Sequence, residues 1–279
     1  MRTASDRTVV VIDEGTTSTR AVLFDAQSRV LESVSEPLGI TTRPDGSVEQ
    51  DPTEIWTKSR AVVGEVLARA ARAGREVAAV SIATQRDCTI LWDRRTGEPV
   101  FPMMSWQDHR WVPDIGPVWE KWKDAVVEVT GMSFGNASVP FHLAWIFDHH
   151  PDLWRRAKAG ELLAGPPDTW LIWNLTGGAA GGRHLTSMSC GATALPVRLD
   201  NLTYWADMIE DVRVPLGLLP ALTPEDGLLV LRSDSRYKRI FCSLPVCRPL
   251  PRLPERSLAA ELLRPRVAEH RSDQIRGSA

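Results

Sequence analysis

Val9-Val10-Val11-Ile12 is an unbroken apolar run that stops at an acid, Asp13. A small-residue stretch follows, Gly15 to Thr19, and a second strand-like run from Arg20 to Phe24 ends at another acid, Asp25. Two β-rich runs joined by a short Gly/Ser/Thr turn predict a β-hairpin over residues 8–25 with a polar tip. Residues 30–35 predict a third antiparallel strand, and residues 39–46 are turn-rich. After Asp51 the apolar period lengthens to that of a helix, with Ile55, Val62, Val63, Val66, Leu67 and Ala70 on one stripe. The start signals are Asp51 as cap, Pro52 in the first turn and Glu54 closing a capping box; Gly74 stops the helix after about Ala73.

Residues 77–83 read as a buried strand. It delivers Thr84-Gln85-Arg86-Asp87 at its carboxyl end, where open α/β sheets bind ligands. Residues 89–92 predict a short strand and 93–97 a turn, and 99–103 lead into Ser105-Trp106-Gln107-Asp108-His109-Arg110. Helices are expected at about 117–129, 139–149 and from 167 to 173. Residues 162–164 are strand-like, 176–182 form a Gly-rich turn, and 206–210 and 216–222 complete the pattern. Strands, helix, strands, then helices describe an α/β fold with a mixed sheet flanked by helices.

Composition narrows the partners. The 279 residues are 43% hydrophobic and 24% charged, with a net charge of −2. That balance gives the whole chain no pull toward nucleic acid. No apolar run reaches the length of a membrane span, and the run at Val9 meets Asp13 too soon for a signal-peptide core. The four cysteines are scattered in neither a zinc nor a disulfide pattern, so a cytoplasmic protein is expected. The character changes near Leu231. From there the chain holds ten Arg and one Lys against five acids, and five Pro. Such a segment buries too little apolar surface to repay its ordering entropy, and disorder is expected of it.

Two constellations can carry chemistry. The hairpin tip sets the hydroxyls of Thr16, Thr17, Ser18 and Thr19 beside several backbone amides, a cradle for an anion. Asp13 at the strand end can hold Mg²⁺ through water next to a phosphate, and Arg20 adds a fixed positive charge. The same residues also suit an ordinary solvated turn. Arg86 and Asp87 form the second constellation: a guanidinium donates to hydroxyl oxygens and a carboxylate accepts from hydroxyl hydrogens. Trp106 offers an apolar wall to the carbon side of a polyhydroxylated ligand. A local salt bridge for the charged pair and core packing for the Trp are the plainer readings.

The stretches IDEGTTSTRAVLFD, VEQDPTEIW, ATQRDCTILWD, SWQDHR and PDTWLIWNLTGG, in this order and spacing, resemble the amino-terminal domain of the FGGY carbohydrate kinases, and within them the glycerol kinases. The resemblance implies a ribonuclease-H-like domain of the actin/Hsp70/sugar-kinase superfamily over residues 7–228, with 229–279 a non-homologous tail. It implies ATP-dependent phosphorylation of glycerol or a related polyol or sugar. ATP phosphates then sit at Asp13, Thr16, Thr17, Ser18 and Arg20, with Mg²⁺ at Asp13, and the polyol sits at Arg86, Asp87 and Trp106. Three departures stand out. Asp87 replaces a Glu, and Ala137 replaces a Tyr that contacts glycerol. No Gly-Asp-Gln run, which carries the family's catalytic Asp, follows Glu225. These departures lead to the expectation of a truncated kinase, inactive or impaired, with an exposed domain interface that favours association. The competing expectation is a non-catalytic sugar- or nucleotide-binding remnant or regulatory module.

Overall fold

The computed structural model describes residues 7–132 and 138–224. The expected hairpin is β1 (Arg7–Glu14) and β2 (Ser18–Phe24), and β3 (Val30–Pro37) follows it antiparallel. Two short strands come next, β4 (Thr41–Thr42) and β5 (Val48–Gln50), ahead of helix α1 (Pro52–Arg72). Strand β6 (Glu76–Thr84) then runs parallel to β1, giving a mixed sheet of order β3-β2-β1-β6. The period-two pattern decides which way this sheet faces. Val10, Ile12, Ala21 and Leu23 point to one side and are buried with the α1 stripe of Ile55, Val62, Val63, Val66 and Ala70.

The start of α1 follows the sequence signals with one change. Asp51 caps it, its side chain accepting from the Thr53 amide at 2.8 Å. Glu54 does not close a capping box. Its Oε2 instead accepts from the Gly39 amide at 3.1 Å and its Oε1 from Lys58 Nζ at 2.6 Å, so it ties the helix to the preceding loop.

The later strands leave the first sheet for a second one. Strands β7 (Thr89–Asp93), β8 (Pro99–Met104) and β9 (Leu162–Gly165) join β4 and β5 in the order β4-β5-β8-β7-β9, with every pair antiparallel. Helices α2 (Gly116–Thr130) and α3 (Ser138–His149) fall where the pattern predicts them. Helix α4 (Pro151–Lys158) is not among the expected elements, and Pro151 stands at its first position. At the first helical position a proline's missing N–H costs nothing, so it opens a new helix. Helix α5 (Pro167–Leu175) leads to β10 (Leu185–Ser187), α6 (Met188–Ala194), α7 (Ala206–Asp211) and β11 (Ala221–Thr223). Ala137 and the Arg/Pro-rich stretch 229–279 lie outside the described residues.

The tryptophans are mostly packing residues. Trp92 in β7 meets Trp170 of α5 edge-on at 5.3 Å and Trp173 at 6.1 Å, joining the two sheets through one apolar core. Asp168, at the start of α5, is fully enclosed. It accepts from Thr169 N, Thr186 Oγ1 and Ser187 N, which fastens α5 to β10.

Candidate functional site

Strand β1 continues one residue beyond Asp13, and the tip proper is Gly15-Thr16-Thr17. It closes with Gly15 N donating to Ser18 O at 2.9 Å, while Leu38 N donates to Thr17 O at 2.9 Å. Gly15 does not use the left-handed backbone that only glycine takes freely, since its φ is not positive. A Cβ there would lie 3.4 Å from Ser18 O, so the glycine's role is a close approach of main chain. Among the described residues the Thr16 and Thr17 amides donate to nothing, which leaves two N–H groups at the tip for an anion. Asp13 and Arg20 stand opposite each other in the ladder, both exposed, and no ion pair joins them.

Thr16 is where the two constellations meet. Its Oγ1 donates to Gln85 Oε1 at 3.1 Å and accepts from Trp106 Nε1 at 3.1 Å. The hairpin tip, the carboxyl end of β6 and the residue after β8 therefore share one threonine. Trp106 is 50% exposed, its indole edge tethered to the tip and its backbone amide donating to Cys88 Sγ at 3.3 Å. A half-exposed indole held at both ends is a preformed wall.

Gln85 is the hub, and sequence reasoning did not single it out. Its Nε2 reaches Gln50 Oε1 at 2.9 Å, Glu14 Oε1 at 3.2 Å and Gly15 O at 3.3 Å. Gln50 extends the mesh, its Nε2 donating to Thr16 O and Gly39 O. Glu14 was also missed. It follows Val10 and Ile12 on the core-facing side of β1, is fully buried, and leaves Oε2 with no partner. Burial pushes its carboxyl up to about 8; the Gln85 bond lowers it less, and Asp13 beside it raises it further. The signal was available: a period-two count places an acid at a core position.

Arg86 and Asp87 do not form the local ion pair that the plainer reading expects. Arg86 is exposed, and Asp87 Oδ1 is buried with no partner. Asp87 has φ of 56°, in the left-handed region that costs a non-glycine residue about 1–2 kcal/mol. Its carbonyl accepts from Ser138 Oγ at 2.9 Å, at the first residue of α3, which holds the strained turn. Burial raises the Asp87 carboxyl to about 7, and Arg86 only partly offsets this. A strained residue with an unsatisfied oxygen at a strand end is the kind of arrangement kept at ligand sites.

The rest of SWQDHR is structural. Buried Asp108 accepts from Val48 N at 2.9 Å and holds Arg110 in a two-pronged pair, and Arg110 also reaches Glu49 at 2.7 Å. This triad clamps the segment that carries Trp106 to β5.

Mg²⁺ with ATP is the group the resemblance implies, and the residues suit it. Mg²⁺ keeps most of its waters and takes one or two carboxylates plus phosphate oxygens. Asp13 supplies one exposed carboxylate, and the described residues hold no cluster of three or more acidic, His or Cys side chains that would form a protein cage. None of the described helices is long and apolar enough to cross a membrane.

Residues 8–228 match the N-terminal domain of the FGGY family of carbohydrate kinases. The chain is 38% identical over 223 residues to a glycerol kinase of Methylorubrum extorquens (strain PA1), covering 79% of this chain and 44% of that protein. With a glycerol kinase of Roseiflexus sp. (strain RS-1) it shares 35% over 218 residues, 77% of this chain and 44% of the relative. The chain thus spans less than half the length of these relatives. In fold it is similar to Plasmodium falciparum glycerol kinase, solved with ADP, at a TM-score of 0.75 and 22% identity over 84% of this chain and 46% of that one. A xylulose kinase from Rhodospirillum rubrum gives 0.72 and 21% over 84% and 46%. The chain belongs to the FGGY family of carbohydrate kinases, through the amino-terminal domain that its residues 8–228 form.

Proposed function

We propose that residues 8–228 are the polyol-facing half of an ATP-dependent kinase that works in the cytoplasm on glycerol or a related polyol or sugar. The observation that carries this reading is the 3.1 Å bond from Trp106 Nε1 to Thr16 Oγ1, which brings the polyol wall to the anion cradle. On this reading Arg86 donates to substrate hydroxyl oxygens, Asp87 Oδ1 accepts from a hydroxyl, and the Trp106 face packs on the carbon chain. ATP with Mg²⁺ supplies the transferable phosphoryl group and the charge that neutralises it.

The chain's own part is orientation. The Thr16 and Thr17 amides, the Thr17 and Ser18 side chains and Arg20 receive the terminal phosphates, and Asp13 holds Mg²⁺ through water. Thr16 contributes its amide alone, because its hydroxyl is already engaged by Gln85 and Trp106. Transfer also needs a carboxylate to take the hydroxyl proton. The resemblance assigns that role to a Gly-Asp-Gln run, and these 279 residues contain none. The proposal for the 279-residue chain is therefore ligand binding without turnover, and the Arg/Pro-rich stretch 229–279 lies beyond the family match.

The absence of that run from the sequence also favours a second reading, a non-catalytic sugar- or nucleotide-binding module. Calorimetric titration with glycerol, a polyol and ketose panel and ADP, beside a coupled kinase assay, tests both. Saturable polyol binding that is lost in Arg86→Ala and Trp106→Ala, with no phosphorylation, is expected. Binding unchanged in both variants sinks the site. ATP-dependent phosphorylation by the wild-type chain sinks the binding-only part. Binding of ADP without any polyol favours the second reading.

A further inference from the structure

A side-chain amide has a donating end and an accepting end, and its partners decide which way round it sits. Gln50, buried at the end of β5, sets its Nε2 between two backbone carbonyls, Thr16 O at 3.0 Å and Gly39 O at 3.3 Å. A carbonyl only accepts, so Gln50 is locked with Oε1 toward Gln85, whose Nε2 lies 2.9 Å away. The same Nε2 faces Gly15 O at 3.3 Å and Glu14 Oε1 at 3.2 Å. Turning the Gln85 amide over would set its oxygen against Gly15 O and Gln50 Oε1, neither of which can donate. Gln85 is therefore locked in turn, with Oε1 toward Thr16. Its backbone is fixed as well, its amide donating to Glu14 O at 2.7 Å. The single hydrogen of the Thr16 hydroxyl goes to Gln85 Oε1 at 3.1 Å. A lone pair of Thr16 Oγ1 then takes Trp106 Nε1–H, a group that only donates, at 3.1 Å. Donation runs one way, from Trp106 through Thr16, Gln85 and Gln50 to the Gly39 carbonyl, and neither end can reverse it.

We infer that Gln85 is a positioning residue for the polyol site: through Thr16 it sets the angle of the Trp106 indole, and with it the affinity for the polyol. The inference rests on the reading that Trp106 packs on the carbon chain of the substrate. Trp106 is 50% exposed, so the core does little to hold its ring. Its backbone amide is tied to Cys88 Sγ at 3.3 Å, which still leaves the ring free to turn about the side-chain torsions. The bond to Thr16 Oγ1 stops that turning. Without Gln85 the Thr16 hydroxyl rotates, and no lone pair is held toward the indole. A ring spread over several rotamers forms the wall for only a fraction of the time, and the apparent affinity drops by that fraction.

The test follows the ¹⁵N-labelled 279-residue chain by NMR, beside calorimetry with the member of the glycerol, polyol and ketose panel that the wild type binds most tightly. Of the eleven tryptophan indole N–H signals, that of Trp106 is identified by its absence in Trp106→Phe. Gln85→Met and Thr16→Val each remove one link at nearly constant size, while Thr16→Ser keeps the hydroxyl. In Gln85→Met and Thr16→Val the Trp106 signal is expected to move upfield and exchange faster with water, the other ten holding still. The polyol Kd should rise about fivefold in each, the effect of one neutral hydrogen bond. The double variant should bind no more weakly than either single one, since both cut the same chain. Thr16→Ser should bind as the wild type does. If circular dichroism shows Gln85→Met unfolded, Gln85→Asn, one methylene too short to reach Thr16, replaces it. The inference falls if the Trp106 signal or the affinity is unchanged in either variant, if all the indole signals move together, or if the two losses multiply in the double variant. A wild type that binds no polyol is a separate failure, which overturns the proposed function and this inference together.

Discussion

Replacing Glu14 by Gln should stabilise the protein, and by more as the pH rises. In the unfolded chain this carboxyl titrates near 4.5, and in the folded protein burial lifts it to about 8. Between those values the folded state holds a proton that the unfolded state has released, so stability declines with rising pH. The loss begins above about 4.5 and levels off above about 8. Each pH step of one through this window costs about 1.4 kcal/mol, so Glu14 costs on the order of 3 kcal/mol by pH 7. Gln keeps the shape of the neutral acid. Its carbonyl can accept from Gln85 as Glu14 Oε1 does, and its NH₂ takes the place of Oε2, which has no partner in either case. Gln cannot ionise, so the pH-dependent cost disappears. The assay is urea unfolding of wild type and variant at intervals from pH 5 to pH 8. The curves should nearly coincide at pH 5 and separate steadily above it, the variant being the more stable. Asp87 also titrates in this range, but it is present in both proteins and largely cancels in the difference. Parallel curves across the range would show that Glu14 is not buried as a neutral acid, and the wiring of Gln85 would need redrawing.

Asp87→Gly should stabilise the fold by about 1 kcal/mol, because glycine adopts the left-handed backbone at φ of 56° without penalty. The same change should abolish polyol binding in calorimetry, which would separate strain from function in one variant. Asp168→Ala should destabilise by roughly 3 kcal/mol in urea unfolding, since it strands the buried Thr186 hydroxyl and the Thr169 and Ser187 amides. Arg110→Ala should cost about 3 kcal/mol, because buried Asp108 is then left without its cation, while Glu49 keeps its bond to Arg43. An unfolding midpoint unchanged in either variant refutes the role given to its residue.

The parts of the fold legible in the sequence are those set by local periodicity. The hairpin, α1 and β6 follow from apolar spacing and end signals that act within a few residues. The allotment of β7, β8 and β9 to a second sheet was not legible, because strand partners are chosen by contacts distant in sequence, such as Leu91 opposite Ala164. The site divides in the same way. Asp13, Arg86, Asp87 and Trp106 stand in short motifs whose chemistry can be read residue by residue. Gln85 and Gln50 could not be found that way, since their importance lies in bonds to each other and to Thr16 across 34 to 69 residues of chain. Glu14 is the intermediate case: its burial follows from strand alternation, but its missing partner shows only in three dimensions.

Thr16 explains why the two constellations should be treated as one site. A turn threonine in water would keep its hydroxyl free, as the anion-cradle reading assumed. Here the hydroxyl is spent on Gln85 and Trp106, which takes it out of the expected anion cradle and fixes the indole relative to the tip amides. A ligand that shifts Trp106 must also strain the Thr16 turn, and an anion that orders the turn also steadies the indole. Coupling of this kind needs no moving domain, because it follows from two groups that share one hydrogen-bonded atom. It also accounts for the polar mesh beneath the tip. With Gln85 and Gln50 both bonded to the backbone around Thr16, the tip is held by side chains from β5 and β6 as well as by its own turn.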